Sequence, residues 1–479
     1  MSVHRNYVGG EWVEGASVTP NVSPSDLDDT VGEYASADAR QTEAAIAAAK
    51  AAFKAWSQST PLQRADILDA IGNELLARKD EIGRLLSREE GKPLADGVAE
   101  VGRAGQIFKF FAGEALRIEG LSIASIRPGV DVTVTRDPLG VVGLITPWNF
   151  PAAIPAWKMA PALAFGNTVV FKPAELVPAT AWAIVEIASR AGLPKGVLNL
   201  VMGKGSVVGR TLCDHRDVAA VSFTGSTAVG ADVARACAAR GARFQLEMGG
   251  KNPLVVLDDA DLELAVAAAV NGAFYQTGQR CTASSRLVVS AKVHDRFVEA
   301  MVAAMKGLKV DNALEPDTHV GPVVDARQLD QDLRYLDIGR KEGARIAWGG
   351  ERLNRATRGH YLQPALFVET KNDMQINREE IFGPVASVIA VSGYEEALAV
   401  SNDTTFGLSA AIFTRSLKHA DHFRRHVETG MVMVNLPTAG VDHHVPFGGR
   451  KGSSNGAREQ GRFAVEFFTS SRTHYVFPG

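Results

Sequence analysis

A chain of 479 residues is too long for one ordinary hydrophobic core, so two or three domains are expected. Hydrophobic content of 46% and charged content of 22% are those of a soluble globular protein, and a net charge of 51 − 54 = −3 without any block of like charge excludes a nucleic-acid or membrane surface. The first residues lack the apolar stretch of a signal peptide, and no run is long enough to span a membrane. Three widely spaced cysteines without a CxxC predict free thiols in a reducing, cytoplasmic setting.

Residues 1–37 read as a polar, turn-rich opening with short strand-like pieces. From Asp38 the pattern becomes helical: Ile46, Ala49, Phe53 and Trp56 share one stripe, and Pro61 opens a second long helix through Leu68, Ile71, Leu75 and Ile82. A third helix spans about residues 95–116. Residues 121–126 and 132–136, with Pro128-Gly129 between them, predict a hairpin reaching away from the body. An exposed pair of strands is an aggregation hazard or a partner-binding edge, and the second is expected here. From Gly140, apolar runs at 141–145, 168–171, 197–201 and 219–223 alternate with helical stretches near 156–165, 179–191, 206–213 and 228–240. That alternation predicts a parallel, doubly wound sheet covered on both faces. A second α/β block runs from about Leu254 to Asn435, with strands at 255–257, 287–290, 385–391 and 411–413. A Gly-rich tail over 447–461 then leads to two closing strands, 465–469 and 474–477.

Chemistry-bearing residues fall at strand ends. Cys281 follows Gln276-Thr-Gly-Gln-Arg and precedes small polar residues, so backbone amides rather than bulky core surround it. A free cysteine more often packs as a small hydrophobe, and other residues must decide its role. Phe223-Thr-Gly225-Ser226-Thr-Ala-Val-Gly230 joins strand to helix and suits a phosphate, as does the less regular Gly203-Lys-Gly205-Ser-Val-Val-Gly209. Lys172 and Glu175 close another strand, where they suit a ribose and the adenosine hydroxyls; alternatively Lys172 merely opens a loop. A Glu175 carboxylate about 4 Å from a 2′-phosphate would repel it by up to ~4 kcal/mol per charge pair, which favours NAD over NADP, with Lys172 softening the preference. Glu247 ends a strand before Met-Gly-Gly-Lys251 as a candidate general base, or as the ion-pair partner of Lys251. Asn149, in Thr146-Pro-Trp-Asn149-Phe-Pro151, suits an oxyanion donor or an Asx turn. His419, His422 and His426 share a helical face with arginines and read as a solvated basic surface, and Asp258-Asp259-Ala-Asp261 as a helix cap; no metal site is expected.

Residues 146–150, 172–175, 223–230, 246–250 and 278–281 and the run Glu380-Ile-Phe382-Gly-Pro384 stand in the order of the NAD(P)-dependent aldehyde dehydrogenase superfamily, which the chain resembles over nearly its whole length. The spacing 281 − 247 = 34 also agrees, and residues 446–453 resemble the family's C-terminal signature. The resemblance implies an α/β fold with a Rossmann-type cofactor domain at 1–119 and 139–249, to which 438–462 return. It further implies a catalytic α/β domain at 250–437 and oligomerisation strands at 120–138 and 463–479. Cys281 would be the nucleophile, Asn149 the oxyanion donor and Glu247 the base. Thr146, Trp148, Lys172, Glu175, Phe223, Gly225, Ser226, Gln328, Glu380 and Phe382 would hold NAD, or NADP as the second choice. Residues 149–158, 278–286 and 436–444 are similar to the branch acting on α-ketoglutaric semialdehyde (2,5-dioxopentanoate). That implies a small aldehyde with a distal carboxylate, Arg280 as the candidate cationic reader or else a scaffold arginine pairing with backbone carbonyls, and Trp157 and Thr438 in the pocket, with His443 and His444 able to tune it. Succinic semialdehyde dehydrogenase, a coenzyme A-acylating relative and a non-catalytic binding protein on this fold are the alternatives. A homodimer or homotetramer is implied.

Overall fold

The computed structural model describes residues 3–479 and is built on two mostly parallel sheets. In the first, Val141–Ile145 lies between Thr168–Lys172 and Val218–Thr224, with Leu198–Leu200 beyond one neighbour and Arg243–Glu247 beyond the other, all parallel. The chain therefore fills one side of Val141–Ile145 and then crosses to the other. Such a reversal leaves a crevice at the carboxyl ends of the strands. Antiparallel strands close both edges: Asn6–Val8 and Glu11–Val13 at one, and Ser454–Asn455 at the other.

Alternate strand residues feed separate cores, as the two-residue period of a strand requires. Val142, Leu144, Val169 and Phe171 join the core under α2 (Pro61–Ala77), α4 (Leu94–Ala115), α5 (Ala153–Ala164) and α6 (Pro178–Arg190). Val141, Ile145, Val170 and Val221 face α1 (Ala39–Ser57), α7 (Arg210–Asp214) and α8 (Thr227–Ala239). The expected single helix from Pro61 through Ile82 is instead two, because α3 (Lys79–Glu90) begins after a break at Arg78 (φ −103, ψ 15). Ile82 is still buried after the break, so the hydrophobic period carried no sign of it.

The second sheet runs Arg345–Trp348, Ala365–Thr370, Val385–Val391, Ser284–Ser290, Asn252–Val256, Ser409–Phe413, Met431–Val434, parallel except at its first pair. The helix α9 (Leu262–Phe274) covers its core with Phe274, Ala269 and Ala265. A third, antiparallel sheet contains the expected hairpin, Leu121–Ala124 with Asp131–Pro138. Here the closing strands differ from expectation. Val465–Phe468 is a helical turn whose Phe467 and Phe468 sit in the first core, and Thr469–Val476 is one strand pairing along Asp131–Pro138. Among the described residues no helix is long and apolar enough to cross a membrane.

Candidate active site

The turn that carries Cys281 is built from three consecutive left-handed residues. After α9, Gln276 (φ 53), Thr277 (φ 58) and Gly278 (φ 65) reverse the chain before Ser284–Ser290. Only glycine fits the third place, since a Cβ there would lie 2.2 Å from the Gly383 carbonyl oxygen. Non-glycine residues in this region are strained and need support from their surroundings. Thr277 Oγ1 donates to the Gly321 carbonyl at 3.1 Å, and the Gln279 side chain accepts from Val324 N at 3.0 Å. Asn252 holds the far end: its amide donates to the carbonyls of Cys281 (2.8 Å) and Ala283 (2.9 Å), and its oxygen accepts from Ser409 N (3.0 Å). The Cys281 thiol is pushed up to about 12, first by burial, then by the charges of Glu380 and Glu247; backbone amides of Cys281 and Thr282 oppose the shift.

Asn149 is positioned from below. Lys92 Nζ donates to the Asn149 carbonyl and to Glu100, both at 2.6 Å, while the other Glu100 oxygen accepts from Ala152 N and Ala153 N at the start of α5. Lys92 and Glu100 are both buried. The Asn149 Nδ2 donates to the Gln279 carbonyl at 2.9 Å, which leaves its second hydrogen for the cavity.

That cavity, about 390 Å³, brings together Trp148, Asn149, Gly225, Ser226, Cys281, Gln328, Glu380 and Phe382. Glu380 accepts from Gly250 N at 2.8 Å, and burial raises its carboxyl to about 7. Phe382 (φ 64) meets the Trp148 ring edge-on, centroids 5.3 Å apart. Gln328 donates to the Ile381 carbonyl and to Asp332, each at 2.9 Å. The Thr224 hydroxyl in the cavity wall and that of Thr146 are buried without a partner among the described residues.

A second hollow of about 500 Å³, on the first sheet, is lined by Glu175, Gly205, Ser206, Phe223 and the start of α8. Glu175 accepts from Gly205 N at 2.9 Å, so both glycine-bearing loops border this hollow. Ser226 caps α8 through Val229 N (3.4 Å). Lys172 turns its ammonium to the Pro173 carbonyl (2.8 Å), and burial lowers it to about 8 against the opposing charge of Glu175.

Glu247 is buried at its strand end and lies outside the cavity lining, with its carboxyl 2.5 Å from Ser454 Oγ. Burial holds that carboxyl well above the usual carboxylate range, and the negative charge of Glu459 adds to the shift. Its partner is Ser454 rather than Lys251, whose ammonium burial lowers to about 7. Two expectations need correction. The Arg280 guanidinium points back into α9, donating to the carbonyls of Asn271 and Gly272, and so serves the turn rather than a substrate charge. Thr438 is fully buried, donating to the Thr282 carbonyl (2.6 Å) beside Ser284 Oγ. Trp157 stacks on Phe447, centroids 5.4 Å apart. Lys92, Glu100, Asn252 and Ser454 carried no signal in the sequence, because a single polar residue, in loop, helix or strand, gives no sign of its burial.

Two mostly parallel sheets thus border one cavity, with the N-terminus of a helix at the first and a cysteine on a strained turn before a strand of the second, which is the architecture of an α/β enzyme. The chain belongs to the aldehyde dehydrogenase family, whose profile matches residues 12–474. It is 44% identical to the alpha-ketoglutaric semialdehyde dehydrogenase of Bacillus subtilis (strain 168), over 100% of this chain and 99% of that one. It is 40% identical to the 2,5-dioxopentanoate dehydrogenase of Saccharolobus solfataricus, covering 97% and 98%. The crystal structure of betaine aldehyde dehydrogenase from Staphylococcus aureus in complex with NAD+ superposes with a TM-score of 0.97 at 34% identity, covering 99% and 95%.

Proposed function

We propose that this chain oxidises an aldehyde bearing a distal carboxylate, of the 2,5-dioxopentanoate type, to the carboxylic acid with NAD(P)+, NAD+ being preferred. The observation that carries the reading is the convergence of Cys281, Asn149 and Glu380 on one cavity that continues to the free amides of α8. The names of the most similar relatives support the substrate class. A dinucleotide suits the groups present: the partnerless Thr224 hydroxyl gains an acceptor, Ser226 and the α8 amides suit a phosphate, and Glu175 disfavours a 2′-phosphate. Lys172, Gln328 and Phe382 complete the cofactor's contacts. When bound, NAD(P)+ takes up the hydride that leaves the substrate carbon.

The Cys281 thiol gives its proton to water, its sulfur adds to the aldehyde carbon, and the resulting oxyanion accepts hydrogen bonds from Asn149 Nδ2 and the Cys281 amide. Loss of hydride leaves a thioester on Cys281. Glu247 rotates from Ser454 toward that thioester and takes a proton from water; the water oxygen displaces the thiolate and the acid departs. Residues 1–119 and 139–249 form the cofactor domain in this reading, 250–437 the catalytic one, and the third sheet pairs subunits.

The test is NADH formation from 2,5-dioxopentanoate, succinic semialdehyde and pentanal, repeated with NADP+ and with Cys281→Ala. A carboxylate preference, faster turnover with NAD+, and a loss of at least about 10⁴-fold in Cys281→Ala are expected. Full turnover by Cys281→Ala would remove the mechanism, and indifference to the distal carboxylate would remove the substrate class.

A further inference from the structure

Three buried hydrogen-bond donors on three touching side chains have no acceptor among the described residues: Arg103 Nε, Trp157 Nε1 and Gln460 Nε2. The Arg103 guanidinium, on α4, lies 5.9 Å from the Trp157 ring and donates to Gln460 Oε1 at 3.2 Å. That bond orients the Gln460 amide and leaves its NH2 as the free end. Gln460 is fully buried and held at φ 59, a conformation that a side chain other than glycine keeps only under constraint.

Nothing nearby satisfies the cluster. Glu100 contributes charge but is committed to Lys92 and the amides of Ala152 and Ala153. Asp442 also contributes charge from an exposed loop, and His443 stands beside it against Phe110, ring centroids 6.2 Å apart. Buried donors are nearly always paired in folded proteins, so several orphans in one place mark a group that accepts several bonds. A carboxylate has four lone-pair sites and one charge, which matches one guanidinium and two neutral N–H groups.

The cluster is also linked to the thiol through one aromatic side chain. Trp157 stacks on Phe447, and Cys281 packs against the apolar group that contains Phe447. The donors and the nucleophile therefore share Phe447 as a common neighbour.

We propose that Arg103, together with Gln460 and Trp157, binds the distal carboxylate of the substrate and sets the selectivity for aldehydes that carry one. This rests on the functional reading above and replaces Arg280 in the role of charge reader. A neutral aldehyde leaves the donors unpaired, and a quaternary-ammonium aldehyde is repelled.

The test compares kcat/KM for 2,5-dioxopentanoate, pentanal and betaine aldehyde in the unmodified enzyme, Arg103→Gln, Arg103→Lys and Trp157→Phe. The ratio of the carboxylate substrate to pentanal should fall about 30-fold in Arg103→Gln, mainly through KM, with Arg103→Lys recovering part of it. Trp157→Phe keeps the ring but loses one donor, so the ratio should fall about 3- to 10-fold. Glutarate should compete with pentanal in the unmodified enzyme, a measurement independent of how the variants fold. An unchanged ratio, a parallel fall for both substrates, or no competition by glutarate would overturn the assignment. If the unmodified enzyme already ignores the carboxylate, the functional reading fails; if its preference survives Arg103→Gln, only the role of Arg103 does.

Discussion

At the scale of single residues, the resting thiol is the feature with the clearest chemical consequence. Cys281 is held protonated by burial and by the charges of two carboxyls, Glu380 before Glu247. Its alkylation by iodoacetamide should therefore be slow at pH 7 and rise about tenfold per pH unit to pH 9, because the thiolate is the reactive form. Glu380 titrates at about 7, so its charge opposes thiolate formation above that pH and vanishes below it. Glu380→Gln should then alkylate about 3- to 10-fold faster than the parent at pH 8, and at nearly the same rate at pH 6. Mass spectrometry of the Cys281 peptide measures both, and superimposable pH profiles would refute the coupling. The places of Asn149 after a strand, Glu247 at the end of one, and Cys281 between a helix and a strand were legible in the ordered motifs. Lys92 and Asn252 were not, since their work depends on carbonyls contributed by residues 57 and 29 positions away. Of the two readings of Arg280, substrate cation or scaffold arginine, the second depended on the carbonyls of α9, which adjacency to Cys281 in the sequence does not show.

Among the elements, the start of α5 depends on a buried pair from α4 and the turn before it. Lys92 bridges Glu100 to the Asn149 carbonyl, so Lys92→Met leaves a buried carboxylate uncompensated. A loss of about 3–5 kcal/mol is expected in urea unfolding, with a fall in kcat as the Asn149 turn loosens. The double variant Lys92→Met/Glu100→Gln should regain part of the stability, because, of the two buried carboxyls that face Lys92, only Glu90 then remains. A single variant within about 1 kcal/mol of the parent would show the pair to be dispensable. The central strands were legible as short apolar runs because every residue of Val141–Ile145 and Thr168–Lys172 is buried. Arg345–Trp348 lies at a sheet edge, mostly half-buried, and opens on an arginine, so it offered no such run, whereas Met431–Val434 at the other edge is apolar but only four residues long. The helix break at Arg78 was hidden for a related reason, since both α2 and α3 bury their apolar stripe in one core.

Across the whole molecule, the third sheet leaves an apolar face uncovered. Ile123, Val132 and Tyr475 are cross-strand neighbours and point the same way, and Ile123 and Tyr475 are 49% and 63% exposed. A row of this kind is what a second copy would cover. The double substitution Ile123→Asp/Tyr475→Asp should convert a native oligomer to a smaller species in sedimentation velocity, with helical content unchanged. A native monomer before substitution would remove the proposal. Deleting residues 463–479 is a poorer test, because it strips Phe467 and Phe468 from the first core.

The placement of the last strands bears on how the chain is made. Asp131–Pro138 finds its second neighbour only in Thr469–Val476, and Arg136 waits for Thr469 across 333 positions. The edge strand Arg243–Glu247, which carries Glu247, is likewise capped only when Ser454–Asn455 emerges. At roughly 5–20 residues per second, the hairpin's open edge is exposed on the ribosome for roughly 15–70 s. A nascent chain with open edges for that long is a substrate for chaperones, and two such chains on one message can pair edge to edge before either is complete. Late capping therefore predicts that the yield of native enzyme depends on translation speed between the two strands, independently of the stability of the finished fold.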